Sequence, residues 1–148
     1  MTRPRAGIIL IEDGKLALME RHKQGRHYFA FPGGGVDEGE TEEQAAVREA
    51  YEELGIHVEV MQLAAEVLRE GRRKQVYFLV QRTGGEFGTG TGEEYDEPDE
   101  FNGTYHPMWM PLEDVVKENV VPRELAELTV RSHREGWSKQ AVIIHEKT

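Results

Sequence analysis

The chain has 148 residues and a formal net charge of −10 at pH 7, which suits a polar globular protein with one domain over residues 1–148. The excess of acidic residues argues against a nucleic-acid partner, because phosphate contacts need a basic surface. The lack of cysteine excludes a thiol nucleophile, a disulfide framework and a thiolate zinc site.

The first elements in the chain are a predicted β-hairpin and a basic loop. Residues 1–15 hold only a short apolar run, so we expect no signal peptide and no membrane partner, and we predict a cytoplasmic protein. Residues 6–11 and 15–20 flank an acidic glycine turn and predict two strands. Residues 21–27, RHKQGRH, predict a loop whose side chains either bind substrate phosphates or stay solvated. The candidates are Arg21, His22, Lys23, Arg26 and His27.

A glycine-rich segment then leads into an acidic helix. Residues 28–31 predict a short strand stopped by Pro32 and three glycines, and the helix runs from an N-cap at Thr41 to Leu54, with Gly55 as its C-cap. At about 100° per residue, one face collects the apolar residues Ala46, Val47, Ala50, Tyr51 and Leu54. The opposite face carries Glu49, Glu52 and Glu53.

The acidic face needs a compensating charge. Glu49 and Glu53 form a like-charge i,i+4 pair, and no lysine or arginine stands at positions 45, 46, 56 or 57. A solvated surface accounts for such a face, since charge runs are usually exposed. A divalent cation also accounts for it, because Mg²⁺ takes carboxylate oxygens as ligands.

The second half of the chain predicts strands, a long loop and helices. Residues 57–69 and 74–82 predict two strands around a basic turn that contains Arg72, Arg73 and Lys74. Residues 83–105 are rich in glycine and acid and predict a loop, either a lid over a site or a solvated segment. Residues 106–110 predict a strand, and residues 112–135 predict two short helices broken at 121–122. Residues 140–145 predict either a final strand or a frayed tail. Strands alternating with helices indicate α/β layers with a mixed sheet.

One stretch resembles a known family motif. Gly34, Glu40 and residues 48–56, REAYEELGI, match the Nudix box G-x5-E-x7-R-E-U-x-E-E-x-G-U at every fixed position. Ala50 stands where a larger aliphatic residue is usual, which affects packing rather than chemistry. The resemblance implies an α/β/α sandwich with a mixed sheet, a catalytic loop–helix–loop and C-terminal helices.

The same resemblance implies a metal-dependent hydrolase acting on a nucleoside diphosphate linked to a further group, with Mg²⁺ or Mn²⁺ as cofactor. It assigns catalysis and metal binding to Glu49, Glu52 and Glu53, with a backbone carbonyl of Gly33 or Gly34 as a further ligand. Glu40 and Arg48 then support the site. The general base is either a helix glutamate, Glu53 or Glu49, or an acid of the long loop. The loop candidates for a base or an additional ligand are Glu93, Glu94, Glu97 and Glu100.

The substrate is the least constrained part of the resemblance. Downstream marks of the ADP-ribose and dinucleoside polyphosphate subfamilies are absent from residues 70–74, EGRRK. This favours a nucleoside triphosphate or a modified one, cleaved to nucleoside monophosphate and pyrophosphate. Hydrolysis of ADP-ribose, nucleotide sugars or dinucleoside polyphosphates is an alternative, as is a catalytically silent module that senses a nucleotide. Homodimers are common in the family, so the resemblance also allows one here.

Overall fold

The computed structural model describes residues 3–90 and 103–146, which form nine strands and three helices. The strands are β1 (Arg5–Glu12), β2 (Lys15–Lys23), β3 (Arg26–Ala30), β4 (Gly33–Gly35), β5 (Ile56–Leu68), β6 (Gln75–Gly85), β7 (Thr104–Pro111), β8 (Val120–Val121) and β9 (Val142–His145). The helices are α1 (Glu42–Leu54), α2 (Leu112–Val115) and α3 (Arg123–Glu135). None of the described helices combines the length and apolar character needed to cross a membrane.

The strands form a mixed sheet in the order β8-β3-β2-β1-β6-β5-β9, with β4 added to β1 and β7 added to β2. β1 runs parallel to β6, whereas β1 and β2 are antiparallel and are in register only at Ile11↔Leu16 and Glu12↔Lys15. Beyond that short contact β1 pairs with β4, and β2 pairs with β3 and β7. The sheet therefore divides between β1 and β2.

Alternating residues of β1 supply the two cores on the opposite faces of the sheet. Ile8 packs in a buried cluster with Ala46 and Leu54 of α1. Ile9 packs in a second cluster with Leu125 of α3. The predicted α/β/α layering with a mixed sheet is therefore confirmed.

Helix α1 begins and ends where the sequence predicts. The Thr41 hydroxyl accepts a hydrogen bond from the Gln44 amide, and the Gln44 side chain accepts one from the Thr41 amide, so the two form a capping box. Gly55 ends the helix in the left-handed conformation, with φ 78°. Tyr51, which the helical wheel places on the apolar face, is 47% exposed and stacks on the His57 ring at 5.0 Å between centroids.

The predicted basic loop at residues 21–27 is also wrong. Arg21 lies in β2 and Arg26 in β3, and the turn between the strands consists of Gln24 and Gly25 alone. Pairing of β2 with β7 as well as β3 gives these polar residues the extended conformation that their composition does not indicate. The three glycines predicted to stop a strand instead form β4 against β1, a contact that depends on the tertiary fold.

The remaining elements agree with the predictions except at the long loop. Strands β5, β6, β7 and β9 and helices α2 and α3 occupy the predicted segments, although β8 adds a short strand between the two helices. The two ends of the predicted loop, residues 83–85 and 104–105, belong instead to β6 and β7. Residues 91–102 lie outside the described residues, as do the candidates Glu93, Glu94, Glu97 and Glu100 and the predicted lid.

Candidate active site

Two glutamates of α1 are buried against β4. Glu49 and Glu53 are only 9% and 6% exposed, although charged side chains are seldom buried without a partner. The Gly33 amide donates a 2.6 Å hydrogen bond to Oε1 of Glu53. A Cβ atom at Gly34 would overlap the Glu49 carboxylate, so this position needs glycine for close approach. The four predicted site residues are therefore brought together where the helix meets the glycine strand.

Arg48 connects the helix to the loop that precedes it. Its guanidinium group donates two hydrogen bonds to Glu40, at 2.8 and 3.0 Å, and one to the carbonyl of Gly35 at 2.9 Å. Nη1 also contacts Glu49 Oε2 at 3.1 Å and Glu52 Oε1 at 3.2 Å. The acidic face needs a compensating charge, and Arg48 supplies part of it by contacting two of the three helix glutamates.

The contacts of Arg48 change the pKa of Glu40, the acid of the preceding loop. The hydrogen bonds from Arg48 lower the pKa of Glu40 below its ordinary value, against the opposing effect of burial. The same hydrogen bonds raise the pKa of Arg48. Both groups are therefore charged at neutral pH, and the pair holds the loop on the helix.

The buried glutamates form one wall of a pocket of about 190 Å³ at the division between β1 and β2. Its described lining residues are Arg5, Met19, Arg21, Ala30, Phe31, Gly33, Gly34, Glu49, Glu53 and Tyr105. The glycines and the glutamates come from β4 and α1, whereas Met19, Ala30 and Tyr105 come from β2, β3 and β7. The pocket therefore joins the two parts of the sheet.

Arg21 lies on the pocket wall opposite the helix. Its guanidinium carbon is 3.6 Å from the centroid of the Tyr105 ring, and its Nε donates to the Thr104 carbonyl at 3.0 Å. Arg26 is absent from the described pocket lining and lies 5.0 Å from the Tyr28 ring instead. Of the two predicted phosphate-binding arginines, only Arg21 is positioned beside the pocket.

The histidines of the same hairpin form a separate cluster. His22 and His27 are cross-strand neighbours, and their rings stack at 4.3 Å between centroids. His27 Nε2 lies 2.7 Å from a Glu20 carboxylate oxygen, and one possible ligand atom from each of the three residues lies within 4.8 Å of the others. Alternation along β2 directs His22 away from the face that carries Arg21. The prediction placing His22 and His27 with the substrate phosphates is therefore not supported by their positions.

The residues of α1 suit a divalent cation. Arg48 contacts Glu40, Glu49 and Glu52, and Glu53 adds a fourth carboxylate that is held by a neutral amide. The four carboxylates lie close together in a partly buried site, so several carboxylate oxygens can converge on one ion. Hard oxygen donors of this kind fit Mg²⁺ or Mn²⁺.

Sequence analysis missed Arg5 and Tyr105 as pocket residues. Arg5 reaches the pocket because β1 pairs with β4, and its Nη2 donates to the Gly33 carbonyl at 3.2 Å. Tyr105 reaches it because β7 pairs with β2 opposite Arg21. Both placements result from pairings between strands far apart in the chain, which a local pattern does not indicate.

The comparison with known proteins decides the family. A family model described as the NUDIX domain matches residues 1–129. The chain belongs to the Nudix family. An RNA pyrophosphohydrolase of Aeromonas hydrophila is 45% identical over 64 residues, which are 43% of this chain and 35% of that protein. The match thus covers about a third of the length of this curated relative.

Solved Nudix structures share the fold. A NUDIX hydrolase from Nitrosomonas europaea superposes with a TM-score of 0.73 at 18% identity, covering 98% of this chain and 80% of that one. A UDP-X diphosphatase superposes with a TM-score of 0.69 at 19% identity, covering 96% and 67%. Identities this low show a common fold and do not identify a substrate.

Proposed function

We propose that this Nudix protein hydrolyses a phosphoanhydride bond in a nucleoside diphosphate linked to another group, with Mg²⁺ as cofactor and Mn²⁺ as a substitute. The main observation in support of this proposal is the burial of Glu49 and Glu53 against Gly33 and Gly34 on the wall of a pocket. Burying two like charges next to each other is unfavourable unless a cation accompanies them. We therefore interpret the acidic face as a metal site rather than as a solvated surface.

In this proposal, Glu49, Glu52 and Glu53 hold the metal ion, and the carbonyl of Gly33 or Gly34 is the further ligand. The bound ion would neutralise phosphate oxygens and make a water molecule more acidic. Arg48 orients Glu49 and Glu52 through its two hydrogen bonds, and Glu40 fixes Arg48 in turn. Glu53 or Glu49 accepts the proton of the attacking water. Arg21 on the opposite wall adds positive charge for the phosphates.

The substrate we propose is a nucleoside triphosphate, or a modified form of one, cleaved to nucleoside monophosphate and pyrophosphate. Support for this choice is the absence of the other subfamily marks from residues 70–74. The similarity to an RNA pyrophosphohydrolase favours a second candidate, the 5′ end of a triphosphorylated RNA. The net charge of −10 disfavours extended contact with RNA, so this candidate would be recognised at its terminus only.

The test is turnover of a panel with and without Mg²⁺, read as phosphate released after added pyrophosphatase or phosphatase. The panel contains nucleoside triphosphates, oxidised nucleoside triphosphates, a short 5′-triphosphorylated RNA, a UDP-sugar, ADP-ribose and a dinucleoside polyphosphate. We expect Mg²⁺-dependent hydrolysis with highest kcat/KM on a nucleoside triphosphate. Equal turnover after removal of all divalent metal would contradict the mechanism, and nucleotide binding without turnover would favour the sensing module.

Two variants of α1 make the test specific. Glu53→Gln keeps the size of the side chain and an oxygen for the Gly33 amide, so we expect the fold to persist while kcat falls by about 100-fold or more. Glu43→Gln is the matched control, because Glu43 is an exposed glutamate in the first turn of the same helix. Near-normal turnover by Glu53→Gln would contradict the assignment of Glu53 as a metal ligand and general base.

A further inference from the structure

A second cavity, of about 350 Å³, lies beside the end of β4 that is farther from the β2–β3 hairpin. Arginines form much of its lining. We call this space the arginine cavity, because its basic lining residues are Arg5, Arg69, Arg72 and Arg73. Arg5 begins β1, and the other three lie at the connection between β5 and β6. The basic turn noted in the sequence therefore contributes to a concave surface rather than to a convex, solvated one.

The positive charge of this cavity is not balanced within the described part of the chain. None of its four arginines forms a salt bridge with a described carboxylate, although the chain as a whole carries a net charge of −10. A single acid, Glu146, lines the cavity. Nε of Arg69 is buried and has no hydrogen-bond partner among the described residues. A buried donor without a partner is unfavourable, and a shift of the Arg69 side chain would let an anion in the cavity supply the missing acceptor.

The arginines also affect one another. Burial lowers the pKa of Arg73, and the positive charge of Arg5 lowers it further. Neighbouring guanidinium groups repel each other, and an anion between them stabilises them together. Arginine suits phosphate in particular, because its planar group donates two parallel hydrogen bonds to two oxygens. A phosphoryl group offers three terminal oxygens and can therefore accept from more of these donors than a carboxylate can.

The arginine cavity adjoins the proposed catalytic pocket through two contacts. Arg5 lines both spaces and donates to the carbonyl of Gly33 at 3.2 Å. A Cβ atom at Gly35 would lie 3.6 Å from Nη1 of Arg73. The glycine strand thus has the helix glutamates on one side and the arginines on the other. The observed link between the two spaces is Arg5, which lines both of them.

We infer that the arginine cavity binds a second phosphoryl group of the substrate, one that is not part of the bond being cleaved. This inference rests on the proposed hydrolase function, and it narrows the substrate to compounds that carry a phosphate in addition to the scissile anhydride. A free inorganic anion has the same chemistry at its oxygens. The shared residue Arg5 favours a phosphate that is covalently attached to the substrate, and the experiment below separates the two sources.

The first measurement is binding of inorganic pyrophosphate by calorimetry in buffer freed of metal on a chelating resin. Without metal the glutamates of the catalytic pocket disfavour this anion, and the part of the binding that is lost with Arg69 and Arg72, which line only the arginine cavity among the two spaces, reports that cavity. We expect the Arg69→Gln/Arg72→Gln variant to bind about tenfold more weakly or worse, and Glu53→Gln to bind like the wild type. The charge-matched control is Arg123→Gln/Arg134→Gln, which removes two exposed arginines from α3. Arg72→Gln alone, at an exposed turn position, covers the case in which loss of Arg69 impairs folding.

The second measurement separates an attached phosphate from a free one. Steady-state kinetics compare a nucleoside 5′-triphosphate with its 3′-phosphorylated form. We expect the additional phosphate to lower KM about tenfold in the wild type and to give no advantage in Arg69→Gln/Arg72→Gln, with kcat changed less than KM. Loss of pyrophosphate binding without loss of this advantage would show a site for free anions and overturn the inference about the substrate.

The two proposals fail in different ways. If the wild type binds pyrophosphate through the arginines but turns over no compound of the panel, the hydrolase proposal is wrong and the anion site stands. If turnover is present and pyrophosphate binding is absent or equal in both double variants, the arginine cavity is not an anion site. Turnover and arginine-dependent binding together support both.

Discussion

Arg48 and Glu40, eight residues apart, form a two-point ion pair in which Nε donates to Oε2 at 2.8 Å and Nη2 donates to Oε1 at 3.0 Å. The parallel geometry uses both oxygens of the carboxylate and so fixes the guanidinium plane as well as its position. With its plane fixed, the remaining nitrogen of Arg48 faces Glu49 and Glu52. Glu40 therefore influences the proposed metal ligands without being one of them.

The pair gives a prediction about stability at low pH. Glu40→Gln should lower the free energy of unfolding by about 1–2 kcal/mol at pH 7, because a charge-assisted pair is lost in a mostly buried setting. The pKa of folded Glu40 lies below the unfolded value near 4.5, so the folded state binds fewer protons in that range. The stabilisation is present above about pH 5.5 and is lost as the pH falls through the folded pKa. Urea titrations of both proteins from pH 7 to pH 3 should show the difference shrinking, and a constant difference would contradict the pairing.

A second prediction concerns the contact between Gly34 and Glu49. Gly34→Ala places a methyl group on the Glu49 carboxylate and should displace it, lowering Mn²⁺ affinity by about 10- to 100-fold. Gly35→Ala is the matched control, since its methyl group would make only an ordinary contact with Arg73. Calorimetric titration of Mn²⁺ into both variants measures the effect directly. Equal affinities would show that Glu49 is not a ligand, or that the strand yields without cost.

The third prediction tests the start of α1. Thr41→Ala removes the hydroxyl that accepts from the Gln44 amide and should cost about 1 kcal/mol of stability. Thr41→Ser keeps the acceptor and should stay within a few tenths of a kcal/mol of the wild type. Urea unfolding followed by circular dichroism distinguishes the two. If both variants behave alike, the capping box does not stabilise the helix.

The fourth prediction concerns Tyr77, a buried tyrosine of β6. Burial raises the pKa of Tyr77 to about 12, and its hydroxyl donates to Gln75 Oε1. The unfolded state releases this proton near pH 10, so stability from this group is complete below pH 10 and is lost as the pH rises towards 12. Between pH 9 and pH 11 the wild type should lose about 1.4 kcal/mol more than Tyr77→Phe. Tyr51→Phe, at an exposed position, should leave the alkaline loss unchanged.

The sequence predicts the elements that local rules determine. The ends of α1 are readable because a hydroxyl at Thr41 and a glycine at position 55 each satisfy backbone groups within one turn. The hairpin of β1 and β2 can be predicted because Asp and Gly are residue types that tolerate positive φ. Asp13 and Gly14 stand between two apolar runs, and both adopt positive φ in the structure. Such features depend on residues that are neighbours in the chain.

What the sequence does not predict depends on distant partners. Residues 21–27 have the composition of a loop and become strand because β7 and β3 pair with β2 on its two sides. The burial of Glu49 and Glu53 is likewise not evident from a helical wheel, which places them on a polar face, whereas β4 packs against them and buries them. A wheel drawn from one helix contains no information about the strand opposite.

The short contact between β1 and β2 separates two kinds of residue. The proposed metal ligands lie on β4 and α1, while Arg21 lies on β2, whose described pairing with β1 is limited to Ile11↔Leu16 and Glu12↔Lys15. A substitution at Arg21 therefore changes the wall of the pocket that faces the helix without replacing a residue of β4, of α1 or of the core cluster that packs on α1. Such an arrangement allows related proteins to keep the same metal-binding residues while their substrates differ.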